Sequence, residues 1–180
     1  MKLKRKQVYS LISALLILLI GVILLSFKDL LSSANTLFYI VMYVVAAIKL
    51  VEYFVTKEKG DYENLLITMV SVIAGTAGIV FNFKDTPLVL SITLISWVSM
   101  LAIIKLIKVD YLMDRKNKMW YAEIITLGIF ILVGILTSIN LYFSSAVQTL
   151  MLGFFFLIMG ILEVIYPLLD SFAKKNKNKE

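Results

Sequence analysis

A two-helix unit of membrane length recurs along this chain with a period of 56 residues. The triplet Phe27–Asp29 returns 56 positions later as Phe83–Asp85, in both places as Phe-Lys-Asp. A third copy begins at Gly134–Leu136, which lies 56 positions after Gly78–Val80. Because every copy of a repeat adopts the same supersecondary unit, the period predicts three helical hairpins packed side by side.

The apolar runs within these copies are long enough to cross a bilayer. Hydrophobic residues make up 61% of the chain and charged residues 17%, against about 45–50% and about 25% in soluble domains. At a rise of about 1.5 Å per residue, about 20 residues cover a hydrocarbon core of roughly 30 Å. We therefore predict an all-α membrane protein with six transmembrane helices, at about residues 8–27, 35–55, 64–83, 87–108, 120–139 and 145–168.

These spans form a single transmembrane domain over residues 8–169. A basic tail of residues 1–7 precedes it, and a tail of residues 170–180, rich in lysine and asparagine, follows it and is expected to be disordered. Pro167 is expected to end the sixth span, because proline lacks the backbone N–H that a helix needs. The first run also has features of a secretory signal peptide, but its full span length and its Phe-Lys-Asp ending favour a retained helix.

Basic residues are distributed unequally between the two sides of the predicted bundle. Sixteen of the eighteen lysines and arginines lie in the two tails or around the connections that follow spans two and four, and only Lys28 and Lys84 lie on the other side. The positive-inside rule then places both termini in the cytoplasm of a cell whose plasma membrane holds the protein. Since each repeat has two spans, all three insert with the same polarity, and we expect a pseudo-threefold bundle whose axis follows the membrane normal.

The composition excludes several kinds of chemistry. The chain has no cysteine and no histidine, so thiolate and imidazole metal sites and disulfides are excluded. No nucleophile–base pair, phosphate-binding glycine loop or soluble domain is recognisable, and we predict no cofactor, no metal site and no enzymatic activity. The net charge of +6 comes from residues that flank apolar spans, which favours anionic lipid over nucleic acid as the partner.

Small residues recur on the predicted helix faces. In a bilayer, helices associate through close contact between small side chains and through hydrogen bonds, because lipid is as apolar as leucine. Ordinary packing within the bundle is the simpler interpretation, and a self-associating face on span three, which would give a homo-oligomer or hold a membrane-protein partner, is the other. The predicted helix-packing residues are Ser71, Ala74, Gly75, Gly78, Gly134, Gly153 and Gly160.

Ionisable residues inside the spans concentrate near the cytoplasmic ends. Lys49 and Glu52 lie three residues apart on span two, Lys105 and Lys108 do the same on span four, and Glu163 lies inside span six. Position 49 corresponds to position 105 in the repeat, so we expect these groups to gather around the axis. They can form a salt-bridged brace, lift their charges to the interface by snorkelling, or line the mouth of an ion path.

The repeat unit also resembles a known family. Each copy has a glycine followed by aliphatic residues in the outer third of an odd-numbered span, a short polar link, and a second span that ends in an Ile-Lys-Leu-like motif. This pattern, over Gly21–Phe54, Gly78–Tyr111 and Gly134–Leu168, resembles the HdeD-like short-repeat membrane proteins. The resemblance implies six spans, a bacterial inner membrane and, for the namesake, a part in acid resistance. Members usually carry a proline in more than one outer link, whereas here only Pro87 does.

The resulting functional prediction is a non-enzymatic multi-pass membrane protein of the HdeD-like type with a stress-related or structural role. The acid role is not carried by particular residues, because the chain lacks histidine and its carboxylates show no pH-sensing arrangement. One alternative is a small transporter or channel that uses the bundle axis. Another is an accessory subunit that packs on a partner through Ser71–Gly78.

Overall fold

The computed structural model describes residues 5–26, 34–56, 62–81, 87–143 and 147–177. These residues form six helices, without a strand among them, and every helix has a stretch long and apolar enough to cross a membrane. This confirms the all-α class and the six candidate spans. The helices are α1 (Arg5–Ser26), α2 (Ala34–Thr56), α3 (Glu63–Phe81), α4 (Pro87–Asp114), α5 (Trp120–Phe143) and α6 (Gln148–Lys177).

The six helices close into a ring. Each helix packs against the next one along the chain, and α1 also packs against α6. The most extensive contacts join α1 with α6, α2 with α3, and α4 with α5, whereas α1–α2, α3–α4 and α5–α6 touch less extensively. Each hairpin predicted from the repeat therefore packs more on its neighbours than on itself.

Glycines allow the backbones of α1 and α6 to touch and so close the ring. A Cβ atom added at Gly160 would lie 2.5 Å from the backbone nitrogen of Leu18. One added at Gly21 would overlap the backbone of Leu157, and one at Gly153 would lie 2.9 Å from the Leu25 side chain. No larger residue fits at these positions without separating the two helices, because real Cβ atoms do not approach backbone so closely.

The small-residue face of α3 points into the bundle. Ser71, Ala74, Gly75 and Gly78 are all buried, and a Cβ on Gly78 would overlap the ring of Tyr39 in α2. Ser71 accepts a hydrogen bond of 3.0 Å from the indole N–H of Trp97 in α4. This face is therefore occupied by α2 and α4 within the same chain.

An aromatic cluster fills the centre of the bundle. Trp97, Phe130, Phe155 and Phe156 are all nearly inaccessible to solvent. The Trp97 ring centroid lies 6.5 Å from that of Phe130 and 6.0 Å from that of Phe155, in edge-on geometries favoured by aromatic pairs. We call these four residues the aromatic plug, because their rings pack together in the core of the bundle.

The outer surface of the ring is strongly apolar. Large aliphatic side chains point outward on every helix, among them Val51, Ile73 and Ile125, each more than half exposed. Water-soluble monomers rarely expose contiguous apolar patches of more than a few hundred Å². The surface suits contact with lipid acyl chains, in line with the spans.

The structure corrects several predicted boundaries. Residues 5–7, assigned to the N-terminal tail, already belong to α1, and α4 continues beyond Lys108 to Asp114 because Val109 and Leu112 are still buried against the bundle. Pro167 does not end the helix, since α6 passes through it, although the sixth candidate span ends two residues later, at Leu169. Proline removes a single backbone hydrogen bond, and near the membrane surface the freed carbonyl can bind water.

α6 continues to Lys177 and so includes residues 170–177 of the tail that was expected to be disordered. Residues 178–180 and both Phe-Lys-Asp triplets lie outside the described residues.

Candidate functional site

A cavity of about 660 Å³ opens at one end of the bundle. This is the end at which α1, α3 and α5 begin and α2, α4 and α6 finish. We call it the basic end, after the lysine-rich connections and tails at these helix ends, and we call the cavity the charged chamber. All six helices contribute to its wall, for instance through Ser10, Lys49, Glu63, Lys105, Glu123 and Glu163.

Lys49 is the centre of a buried ion-pair triad. Its ammonium donates to Glu163 Oε2 at 2.5 Å and to Glu52 Oε2 at 3.2 Å. The three side chains are only 5%, 10% and 6% exposed, respectively. Lys49 and Glu52 lie three residues apart and so share a face of α2, while Glu163 arrives from α6. The triad therefore ties these two helices together across the end of the bundle.

Lys108 forms the centre of a second triad on the other side of the chamber. Its ammonium lies 3.1 Å and 3.2 Å from the two carboxylate oxygens of Glu63 and 2.9 Å from Glu123 Oε1. Glu123 is the most buried of the three, with a side chain 3% exposed. Glu63 opens α3 and Glu123 lies in the first turn of α5, so this triad connects three helices.

Lys105 stands between the two triads. It is half-buried and lines the chamber, close enough to Glu63 and Glu163 to attract both electrostatically. Within the described part of the chain, however, no carboxylate comes within ion-pairing distance of its ammonium. Each of the four glutamates thus has a lysine partner, whereas Lys105 lines the chamber without an ion-pair partner among the described residues.

The chamber changes in character with depth. Its inner wall is apolar and ends on Met159 and on Phe130, which belongs to the aromatic plug. Phe130 lies seven residues deeper along α5 than Glu123, which corresponds to about 10 Å. At the rim, the Arg115 guanidinium stacks over the Tyr111 ring, 4.4 Å from its centroid. The charged groups therefore form a layer between an apolar floor and an aromatic rim.

The chamber also reaches the outer surface of the bundle between α3 and α4. Leu66 of α3 and Ile107 of α4 both line it, although both are also exposed at the surface of the bundle, with exposed fractions of 41% and 62%. Tyr62 and Tyr111 flank the same gap and are also exposed. We call this gap the side opening. It brings the lipid-facing surface within reach of the charged layer.

The five residues of the predicted charge cluster all line the chamber, but they do not form one cluster. Lys49, Glu52 and Glu163 meet, whereas Lys105 makes no ion pair with described residues and Lys108 belongs to the other triad. The sequence prediction omitted Glu63 and Glu123 from the cluster. The available signal was their position: both lie in the first turn of a helix that begins at the lysine-rich end of the bundle.

The chamber combines fixed charges of both signs with an apolar floor, an arrangement suited to reversible binding of a small ligand. Three lysines and Arg115 at the rim balance the formal charge of the four glutamates that surround it. No protein-family model, curated protein or solved structure matches this chain. Its function is therefore inferred from the chamber itself.

Proposed function

We propose that this chain is a non-enzymatic integral protein of the bacterial cell membrane, with its basic end and both termini in the cytoplasm. The six apolar helices and their lipid-compatible outer surface support the location. The concentration of lysine and arginine at one end supports the orientation, since such residues are retained on the cytoplasmic side. Anionic lipid headgroups would be the natural contact of that end.

The proposed arrangement of the helices is a pseudo-threefold ring of three parallel hairpins. The 56-residue period supports it. The alternation of packing around the ring supports it as well, because α2–α3, α4–α5 and α6–α1 are equivalent junctions between successive copies, and these are the extensive contacts. The two charged triads then break the symmetry, because Lys49 and Lys105 occupy equivalent positions but only Lys49 makes ion pairs with described residues.

The proposed activity is ligand binding from one side. The observation that carries it is a charged chamber that opens at the basic end and closes on the aromatic plug. A transporter or channel along the axis would require Trp97, Phe130 and Phe155 to separate, although their rings pack against one another near mid-depth. A binding protein requires only that the ligand reach the chamber.

Such a binding protein fits the stress-related or structural role that the resemblance to HdeD-like proteins favours. A ligand in the chamber would contact several helices at once, and its binding would stabilise the ring by an amount that rises with the logarithm of the ligand concentration above Kd. The accessory-subunit alternative has less support, because the Ser71–Gly78 face through which a partner would dock is covered by α2 and α4.

The proposal can be tested by cysteine labelling, since the chain has no cysteine of its own. Thr126 lines the chamber on α5, Lys118 lies in the exposed turn before that helix, and Phe143 is the exposed residue at its far end. With a membrane-impermeant cationic thiol reagent, we expect the Lys118→Cys and Thr126→Cys variants to react only from the cytoplasmic side. The Phe143→Cys variant should react only from outside.

Two outcomes would contradict the proposal in different ways. Reaction of Thr126→Cys from both sides, with the other two variants reacting as expected, would show a conduit rather than a one-sided chamber. Exchange of the patterns of Lys118→Cys and Phe143→Cys would show that the orientation is reversed. Labelling after detergent solubilisation, where all three should react, provides the matched control for reactivity.

A further inference from the structure

Lys105 is a half-buried lysine of the chamber that lacks an ion pair within the described part of the chain. Each of the four glutamates in the wall is within 3.2 Å of a lysine ammonium. Lys105 is half-buried beside them without an ion pair to any described residue. A partly buried ammonium gains most from an acidic group that accepts charge-assisted hydrogen bonds. The missing partner is therefore an anionic acceptor, such as a phosphate or a carboxylate.

A simple anion would nevertheless be a poor ligand for this chamber. The wall carries four glutamates against three lysines and Arg115, so its formal charges balance. A simple anion would leave an excess of one negative charge in a partly desolvated space. The ligand must bring its own positive charge to offset that excess. A primary ammonium suits this requirement, because its N–H groups can donate hydrogen bonds to the carboxylate oxygens. A quaternary ammonium has no N–H group and cannot form these hydrogen bonds.

The side opening indicates a third property of the ligand. Leu66 and Ile107 line the chamber and also face the lipid side of the bundle. An apolar chain attached to the headgroup can therefore lie between α3 and α4 while the headgroup stays at the level of the charges. At about 660 Å³ the chamber has the size of a small-molecule pocket and accommodates a headgroup with the first part of a chain, the remainder lying in the bilayer.

We propose that the charged chamber binds a zwitterionic amphiphile that enters through the side opening, with its acidic group on Lys105 and a primary ammonium facing Glu63 and Glu163. This is the chemistry of an aminophospholipid. The inference goes beyond one-sided binding, because it names the ligand class and its route. It rests on the same chamber but does not depend on which side of the membrane the chamber faces.

The test compares three lysophospholipids with the same acyl chain, titrated into the purified full-length protein at equal mole fraction in one detergent. Their headgroups are ethanolamine, choline and glycerol, and binding is followed by the upward shift of the thermal unfolding temperature. We expect the ethanolamine form to bind roughly tenfold more tightly than the other two. The Lys105→Met variant should lose roughly that factor, while Lys118→Met, an exposed lysine outside the chamber, should bind like the wild type.

Several results would overturn this assignment. Equal binding of the three lysophospholipids to the wild-type protein would do so without any variant, so the test survives a Lys105→Met protein that does not fold. Unchanged binding of the ethanolamine form by folded Lys105→Met would exclude the role of that lysine. If water-soluble phosphoethanolamine bound as tightly as the ethanolamine lysophospholipid, the acyl chain would have no role in binding, and the ligand would be a free zwitterion. The titrations are made in detergent and test only the ligand class, whereas the labelling is made in membranes and tests the one-sided chamber. Either experiment can therefore contradict its own proposal while the other proposal holds.

Discussion

Lys49 shows how a charge can be held inside an apolar bundle. At the edge of the hydrocarbon region, lysine usually extends its long side chain toward the headgroups. Here it is almost fully buried and meets Glu52 and Glu163 instead. Taking three charges out of water is costly, and the cost is recovered only where the partners complete one another's hydrogen bonds. The triad is therefore stable as a set and vulnerable to the loss of one member.

A single substitution should expose that vulnerability. Lys49→Met preserves most of the side-chain volume but leaves two buried carboxylates without a cation, and we expect the free energy of unfolding in detergent to fall by about 3–5 kcal/mol. Denaturant titration of the purified protein measures this loss. Lys118→Met, which removes an exposed lysine of the α4–α5 turn, serves as the control and should change stability by less than about 0.5 kcal/mol.

Neutralising the partners should reverse most of that loss. In a Lys49→Met/Glu52→Gln/Glu163→Gln variant none of the three charges of this triad remains, and replacement of a whole buried ion-pair set is often close to neutral. We expect the triple variant to be more stable than Lys49→Met alone. If the triple variant were the less stable one, the carboxylates would have to be stabilised by something other than Lys49, and the account of the triad would be wrong.

At the scale of whole elements, the contact between α1 and α6 depends on glycine. Gly160 allows the backbone of Leu18 to approach so closely that a methyl group has no room. Gly128 on α5 offers a matched contrast, because nothing lies within 4 Å of the position a Cβ would take. The same substitution should therefore have opposite effects at two glycines that both lie within membrane-spanning helices.

We expect Gly160→Ala to lower the free energy of unfolding by about 1–3 kcal/mol, because the added methyl group forces the two backbones apart. Gly128→Ala should leave stability unchanged or raise it by up to about 1 kcal/mol, since alanine favours the helix over glycine. Thermal unfolding of both variants in the same detergent distinguishes them. A Gly160→Ala protein as stable as the wild type would show that α1 and α6 are farther apart than described here.

The extent of each helix was predictable wherever apolarity alone decides it. The six spans follow from uninterrupted apolar runs. The helix ends depend on contacts with other helices, which the apolar runs alone do not reveal. Lys108 marks the end of an apolar run, yet α4 continues because Val109 and Leu112 remain buried. Pro167 has the residue type that ends helices, yet α6 continues through it, since one lost hydrogen bond does not outweigh the turns on either side.

At the scale of the whole molecule, the members of the charged chamber were predictable only in part. The i, i+3 spacing of Lys49 and Glu52 places them on one helix face from sequence alone. The partners of Lys108 come from α3 and α5, and that meeting depends on the order of helices around the ring. The same order leaves Lys105 without a described ion pair, although the repeat makes it equivalent to Lys49. Pairing of this kind becomes visible only once the ring is closed.

Ring closure leads to a prediction about the chain as a whole. The strongest contacts join different hairpins, α1 with α6 and α2 with α3. A chain divided after residue 58 separates α1 and α2 from the other four helices and breaks no helix. We expect the two pieces, residues 1–58 and 59–180, to assemble when they are expressed together, because membrane helices can insert first and pack afterwards.

Co-purification through a tag on the larger piece measures this assembly. Gly160→Leu in that piece should strongly reduce it, because leucine would separate α6 from α1 and leave mainly the α2–α3 contact to join the pieces. Gly128→Ala in the same piece should not affect it. If the wild-type pieces failed to associate although each was inserted, the contacts within hairpins would have to dominate, and the proposed threefold ring would lose its main support. If the two pieces are recovered together, and if Gly160→Leu but not Gly128→Ala reduces that recovery, the contacts between hairpins hold the molecule closed.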